Sequence, residues 1–177
     1  MVLVKLKFRL KELLACSFFV LVFALYLPFV NSPLVFDDLY FFSPGGPEGF
    51  LQSGFSLKSR WLPLMTHALT FIYIGDEVAW QRLGNMLLHA ANGVVLFYFI
   101  NKLLGVIFRD KFSNSQLFFS SFVGSLFFVF HPASVYAVAY LIQRTTLMAT
   151  FFRETLIKAT LPGFFVREAA TPKFASS

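Results

Sequence analysis

Residues 13–30 read LLACSFFVLVFALYLPFV, and this run decides the fold class. Only Ser17 and Tyr26 interrupt it as clear polar residues, and eleven of residues 14–30 are Leu, Val or Phe. Each such side chain favours insertion by roughly 0.3 to 0.6 kcal/mol, so the run as a whole strongly prefers a bilayer. Lys5, Lys7, Arg9 and Lys11 precede it and mark a cytoplasmic N-terminus. A cleavable signal peptide is the alternative, but no convincing small-x-small site follows the run. The tetrapeptide Leu13-Leu14-Ala15-Cys16 is not a lipoprotein signal either, because its apolar region lies after the cysteine and not before it.

The rest of the chain carries the same signature. Of 177 residues, 57% are hydrophobic and 14% charged, against about a quarter charged in a soluble domain. The apolar residues are gathered into long runs, which points to an all-α integral membrane protein that crosses the bilayer several times. No alternating ten-residue segments recur, so a transmembrane barrel is not expected. The net charge of +6 comes largely from bases flanking apolar runs, where they set topology. Nucleic acid is therefore not an expected partner. Cys16 is the single cysteine, which leaves no intrachain disulfide and no multi-cysteine zinc site.

Moving outward from the first run, residues 31–60 form an external loop. It contains the turn-rich stretch Ser43-Pro44-Gly45-Gly46-Pro47, read as neither helix nor central strand. Residues 61–75 are apolar but too short to span. Leu64, Ala68, Phe71 and Ile72 share one helical face there, so an interfacial helix anchored by Trp61 and Tyr73 is expected. Few bases occur between 31 and 82, which suits the non-cytoplasmic side. Residues 83–108 make a second spanning helix, with Lys102, Arg109 and Lys111 at its cytoplasmic end. Residues 116–130 are a third apolar run, where Ser121, Gly124 and Ser125 invite close helix approach. Residues 133–152 form a fourth, interrupted by Gln143-Arg144. The expectation is four hydrophobic helices plus one interfacial helix over residues 1–152. A polar tail over 153–177 follows, broken at Pro162-Gly163 and disordered from 169 onward.

Three constellations carry possible chemistry. Asp37-Asp38 places two like charges side by side just past a span, which is costly. One could act as a general base with the other holding a cation or substrate; alternatively one merely caps a short helix. Arg82, Asn85, His89 and Asn92 follow spacings of three, four and three, so they share a face too polar for lipid. That face either hydrogen-bonds to other helices or lines a wet cavity. Tyr136, Tyr140, Gln143 and Arg144 form a similar group on the fourth run. Arg144 is either a phosphate or carboxylate partner or a snorkelling cation. His67, His89 and His131 come from three separate segments without metal-ligand spacing, so no metal site is expected.

Read in order, Phe36-Asp37-Asp38, Arg60-Trp61-Leu62-Pro63-Leu64, Thr66-His67-Ala68-Leu69-Thr70-Phe71, Asn85-Met86-Leu87-Leu88-His89 and His131-Pro132 form a series. It resembles the N-terminal membrane region of the TPR-bearing glycosyltransferases of the GT-C superfamily, such as the transmembrane-and-TPR protein O-mannosyltransferases. The resemblance covers residues 5–152. It implies transfer of a sugar from a polyprenyl-phosphate donor to a hydroxyl of a protein or glycan acceptor on the non-cytoplasmic side. The family's catalytic acidic motif falls on Asp37 and Asp38. The chemistry is consistent with that, since an acceptor hydroxyl needs a base whereas phosphate leaves without an acid.

Arg60 and Arg144 would neutralise the phosphate, with Asn85 and His89 lining the cleft; these four assignments are inferences from residue type. No cofactor is implied, with a divalent cation between Asp37 and Asp38 as the alternative. Expected partners are membrane lipid, the polyprenyl-phosphate sugar and the acceptor. The expected location is a bacterial inner membrane or an endoplasmic reticulum membrane.

The chain departs from the family at Tyr136, where relatives often carry glutamate, and after Phe152, where further spans and TPR repeats would follow. A gene fragment, a frameshift near 152 or a shortened relative would each give this pattern. The rival readings are a non-catalytic membrane scaffold and a transporter using Arg144 and His89 as a relay.

Overall fold

The computed structural model describes residues 2–42, 46, 49, 51–52, 60–108 and 111–170. Among these every regular element is helical. Helix α1 (Val2–Tyr26) runs into a 3-10 turn (Leu27–Phe29) at Pro28, whose ring cannot continue an α-helix. A one-turn helix, α2 (Asp38–Phe41), follows. Then come α3 (Trp61–Tyr73), α4 (Val78–Ile107), α5 (Asn114–Phe130) and α6 (Pro132–Ala139). A second 3-10 turn (Leu141–Gln143) leads into α7 (Arg144–Ala170).

Local chemistry sets these boundaries. A capping box opens α5: the Gln116 amide donates to Ser113 Oγ, and the Ser113 amide donates to Gln116 Oε1. His131 precedes a proline and is extended (φ −63°, ψ 131°), which ends α5. Pro132 then occupies the first position of α6, and His131 Nδ1 accepts from the Ala133 amide at 3.2 Å. The two helices meet at 59°.

Helix α4 is the central element, packed against α1, α5, α6 and α7. The core joins Phe18, Val22 and Tyr26 of α1 to Met86, Ala90 and Phe97 of α4, Val129 of α5 and Val138 of α6. Gly93 allows the close approach of three helices. A Cβ there would lie 2.8 Å from Val129 Cγ2 and 3.2 Å from the Phe18 ring. Ser121 and Ser125 are buried and Gly124 faces Ile100, so the small-residue face of α5 packs on α4 as expected.

The segments covering 12–29 and 78–107 are long and apolar enough to cross a membrane, with mean hydropathies of 2.1 and 1.6. The α5–α6 pair adds a third if the bent pair is one crossing. The expected fourth helix over 133–152 is instead split. Tyr140 is extended, the chain tightens into the 3-10 turn, and α7 starts afresh at Arg144. Helix α3 turns one side toward the protein. Pro63, His67 and Ala68 are its buried residues, whereas Ile72 is 52% exposed. Polar partners from α4 and α7 select the His67 side over the purely apolar one. Helix α7 continues through Pro162-Gly163 to Ala170, since a proline removes one hydrogen bond without obliging a helix to end. Residues 171–177, and most of Ser43-Pro44-Gly45-Gly46-Pro47, lie outside the described residues.

Candidate active site

The two aspartates have opposite surroundings. Asp38 is fully buried. Its Oδ2 accepts from the Leu141 amide at 2.8 Å and its Oδ1 from the Ile142 amide at 3.1 Å. These are two of the orphan amides at the start of the 3-10 turn and α7, so the side chain caps that turn from the far end of the sequence. Burial raises the Asp38 pKa, and the two amides and the nearby Arg82 guanidinium oppose that rise. Asp37 is exposed. It occupies the N-cap position of α2 without a side-chain capping bond, so the simple capping reading does not describe it.

Asp37 instead lines a cavity of about 250 Å3 together with Arg60, Tyr136, Tyr140, Ile142, Gln143, Thr145 and Thr146. Asp37 lies close enough to Tyr140 to interact with its hydroxyl. Tyr136 stacks on Tyr140 with ring centroids 5.0 Å apart, and Gln143 Nε2 donates to the Tyr136 hydroxyl at 3.4 Å. Among the described residues two non-glycine positions are left-handed, and both are at this site: Phe36, with φ 50°, immediately before Asp37, and Arg60, with φ 66°, in its lining. Such conformations cost energy and persist where the surroundings hold them. Phe36, 74% exposed, makes an edge contact to Tyr140, centroids 6.1 Å apart.

Beneath the cavity lies a buried polar network. Arg144 is 3% exposed. Its Nε donates to Asn85 Oδ1 at 2.9 Å, its Nη1 to Thr66 Oγ1 at 3.3 Å, and its Nη2 to the Gln81 carbonyl at 2.7 Å and Gln81 Oε1 at 3.1 Å. Gln81 also bridges to α3. His67 Nδ1 donates to Gln81 Oε1 at 2.8 Å, and Gln81 Nε2 donates to the His67 carbonyl at 3.2 Å. Burial first, and the Arg144 charge second, push the His67 pKa down to about 3. Asn85 completes the network by donating to the carbonyls of Val138 and Leu141.

The polar stripe on α4 faces protein throughout. Arg82 donates to the carbonyls of Val30, Ser32 and Pro33, fastening the chain that leaves α1 to the N-terminal end of α4. His89 Nε2 donates to the Val129 carbonyl at 3.2 Å, and Asn92 Nδ2 donates to the Leu147 carbonyl at 3.0 Å.

The structure therefore brings Asp37 and Arg60 together at one cavity. It commits Asp38, Asn85 and Arg144 to holding the wall behind that cavity, and it places His89 at a separate cavity. The residues missed by sequence reading are Gln81, Thr145 and Thr146, whereas Thr66 and His67 stood in the quoted series without a site role. Gln81 carried a usable signal, since it lies four residues before Asn85 on the same face of α4. No family model, curated protein or solved structure matches the chain.

Proposed function

We propose that this chain is the N-terminal membrane part of a glycosyltransferase that moves a sugar from a polyprenyl-phosphate donor to an acceptor hydroxyl on the non-cytoplasmic side. In this proposal the hydrophobic segments cross the membrane four times, and the loop bearing Asp37 lies outside. The observation that carries the reading is the division of labour between the adjacent aspartates. Asp38 is consumed by two backbone amides, whereas Asp37 stays exposed on a cavity shared with the Arg60 guanidinium.

The proposed step balances with those two groups. The acceptor oxygen attacks the anomeric carbon, and its proton passes to Asp37. The bond from the anomeric carbon to the phosphate oxygen breaks, and its electron pair stays on the phosphate. Arg60 meets the charge that develops there. Tyr136 and Gln143, which line the same cavity, offer hydrogen bonds to sugar hydroxyls.

The test is sugar release by the chain in liposomes supplied with a panel of radiolabelled polyprenyl-phosphate hexoses. Release from one member, reduced about 10²–10⁴-fold by Asp37→Asn, is the expected result. Asp37→Asn activity equal to that of the unaltered chain, or no release across the panel, overturns the reading for this chain.

A further inference from the structure

Helix α2 sits beside the first turns of α4, not beyond them. Asp38 accepts from the Leu141 amide, and the Leu141 carbonyl accepts from Asn85 of α4 at 3.4 Å. Just past α2, the Phe42 ring meets the His67 ring with centroids 5.2 Å apart, and His67 is bonded to Gln81 of α4. These contacts hold α2 level with residues 81–85.

Depth along α4 has a scale. The helix has 30 residues, a length of about 45 Å, which matches a bilayer with its headgroups. The ~20 residues that cross the hydrocarbon, counted back from Lys102, reach Arg82. Trp80 precedes Arg82, is 41% exposed and suits the aromatic belt of an interface. Asp76 and Glu77, both exposed, come before it on the water side. The level of α2 is thus the boundary between headgroups and acyl chains.

The edge that α2 shows at that level is apolar. Asp38 is buried and turned inward, and Val35, Phe36 and Leu39 are exposed, by 42%, 74% and 58%. Phe36 also holds φ 50°, a conformation that costs energy. Water offsets neither that strain nor the exposed ring. Leu25, Leu27 and Phe29, exposed on α1 and its terminal turn, lead along the chain to the same edge. We propose that Val35, Phe36 and Leu39 are seated in the lipid leaflet at this end, which brings Asp37 and the cavity it lines to headgroup depth. A lipid-borne ligand meets that cavity without leaving the bilayer. The proposal rests on α1 and α4 crossing a membrane; it needs neither the transferase reading nor turnover.

The experiment is depth-dependent fluorescence quenching of the full chain in phosphatidylcholine vesicles. Phe36→Trp and Leu39→Trp are each read with Trp61→Phe and Trp80→Phe in the same chain. Val20→Trp in that background, at a position 68% exposed within α1, reports on the span. The vesicle lipids are brominated either near the headgroup end of the acyl chain or near its terminal methyl, and iodide is supplied on both sides. Phe36→Trp and Leu39→Trp lose most fluorescence to the shallow bromines and escape iodide, as expected of side chains about 5–10 Å into the headgroup and acyl boundary. Val20→Trp loses most to the deep bromines.

Quenching of both edge reporters by iodide, without effect of either bromine, puts the edge in water and overturns the proposal. Protection from iodide and from both bromines means that another chain covers the edge, and overturns it as well. No bromine quenching of Val20→Trp removes the crossing of α1 and the proposal with it. The unaltered chain supplies a measurement free of folding defects. A phosphatidylcholine bearing a diazirine near the headgroup end of its acyl chain labels the peptide that holds residues 35–39; absence of that label refutes the seating.

Discussion

Asp38 Oδ2 lies 2.8 Å from the amide nitrogen of Leu141, a hydrogen bond that spans 103 positions of sequence. It joins the chain leaving α1 to the turn from which α7 starts. With its companion bond to Ile142, it makes Asp38 the far-side cap of a helix that it does not belong to. The carboxylate next to it is thereby left facing the cavity. Adjacent residues divide structure and exposure in this way because α2 is helical: successive side chains point about 100° apart, so one turns inward and the other out.

That division predicts different penalties at the two positions. Asp38→Asn keeps one acceptor oxygen and sets an NH2 against an amide donor. One buried amide loses its partner, and the loss of stability is about 1–3 kcal/mol. Asp37→Asn, on an exposed side chain, changes stability by less than about 0.5 kcal/mol. Unfolding by SDS in mixed micelles, followed by circular dichroism, measures both. Equal losses at the two sites would refute the assignment of Asp38 as the clamp.

Two glycines on α4 carry a second prediction. A Cβ at Gly84 would stand 2.8 Å from Arg144 Nη2, and one at Gly93 would stand 2.8 Å from Val129 Cγ2. Gly84→Ala therefore pushes the guanidinium away from Gln81 and disturbs the network behind the Asp37 cavity. Gly93→Ala wedges α5 and α1 off α4. Each costs about 1–3 kcal/mol, more than the roughly 1 kcal/mol that alanine gains in helix propensity. Gly105→Ala, with open space around its Cβ, serves as the control and is neutral or stabilising. The same unfolding assay ranks the three.

A third prediction concerns acid. The His67 pKa is lowered from its usual 6.5 to about 3 in the folded chain, so below 6.5 the unfolded chain binds the proton more readily. Its contribution is complete above pH 6.5 and is lost as pH falls toward 3, at up to about 1.4 kcal/mol per pH unit. Asp38 works in the opposite sense. Its pKa is raised above the usual 3.8, so its contribution is present below 3.8 and is lost as pH rises through the folded value. Acid loss beginning near 6.5 therefore has the sign of a buried neutral histidine and not of Asp38. His67→Gln flattens the stability profile between pH 6.5 and 5; an unchanged slope would reject the buried, neutral ring.

Much of the helical layout was legible from the sequence because long apolar runs and basic flanks report on a single physical requirement, transfer into lipid. Asn85, His89 and Asn92 were expected to face protein or a cavity, and all three are buried with helix-to-helix bonds. Hydropathy was less informative at the fourth run. The break at Tyr140 depends on Asp38 reaching the amides of Leu141 and Ile142, and no local pattern announces a partner about a hundred residues away. Arg144 was ambiguous for a related reason. Its acceptors come from Thr66, Gln81 and Asn85, three ordinary polar side chains whose convergence is a tertiary fact. Asp37 was singled out by the family resemblance and Arg60 by residue type; composition and spacing carried no sign that the two line one cavity.

The last prediction fixes the orientation. Arg82 binds the carbonyls of Val30, Ser32 and Pro33, so the end of α1 and the start of α4 lie at the same end of the bundle. The far end of α4, at Ile107, leads by a short connection to α5 at Asn114, so residues 102–115 lie at the other end. The bases Lys102, Arg109 and Lys111 predict that the second end is cytoplasmic, as Lys5, Lys7, Arg9 and Lys11 predict for the start of the first run. Tyr73 is 80% exposed and Ser115 is also exposed, so a cysteine at either place is reachable by reagent on its own side. In a Cys16→Ser background, a membrane-impermeant maleimide added to intact cells or sealed vesicles should label Tyr73→Cys. It should label Ser115→Cys only after permeabilisation. The converse pattern would invert the topology and place Asp37 on the cytoplasmic side, where the proposed extracytoplasmic transfer has no acceptor. Labelling of both cysteines from the same side would go further, putting on one side of the membrane two ends that the length of α4 holds apart.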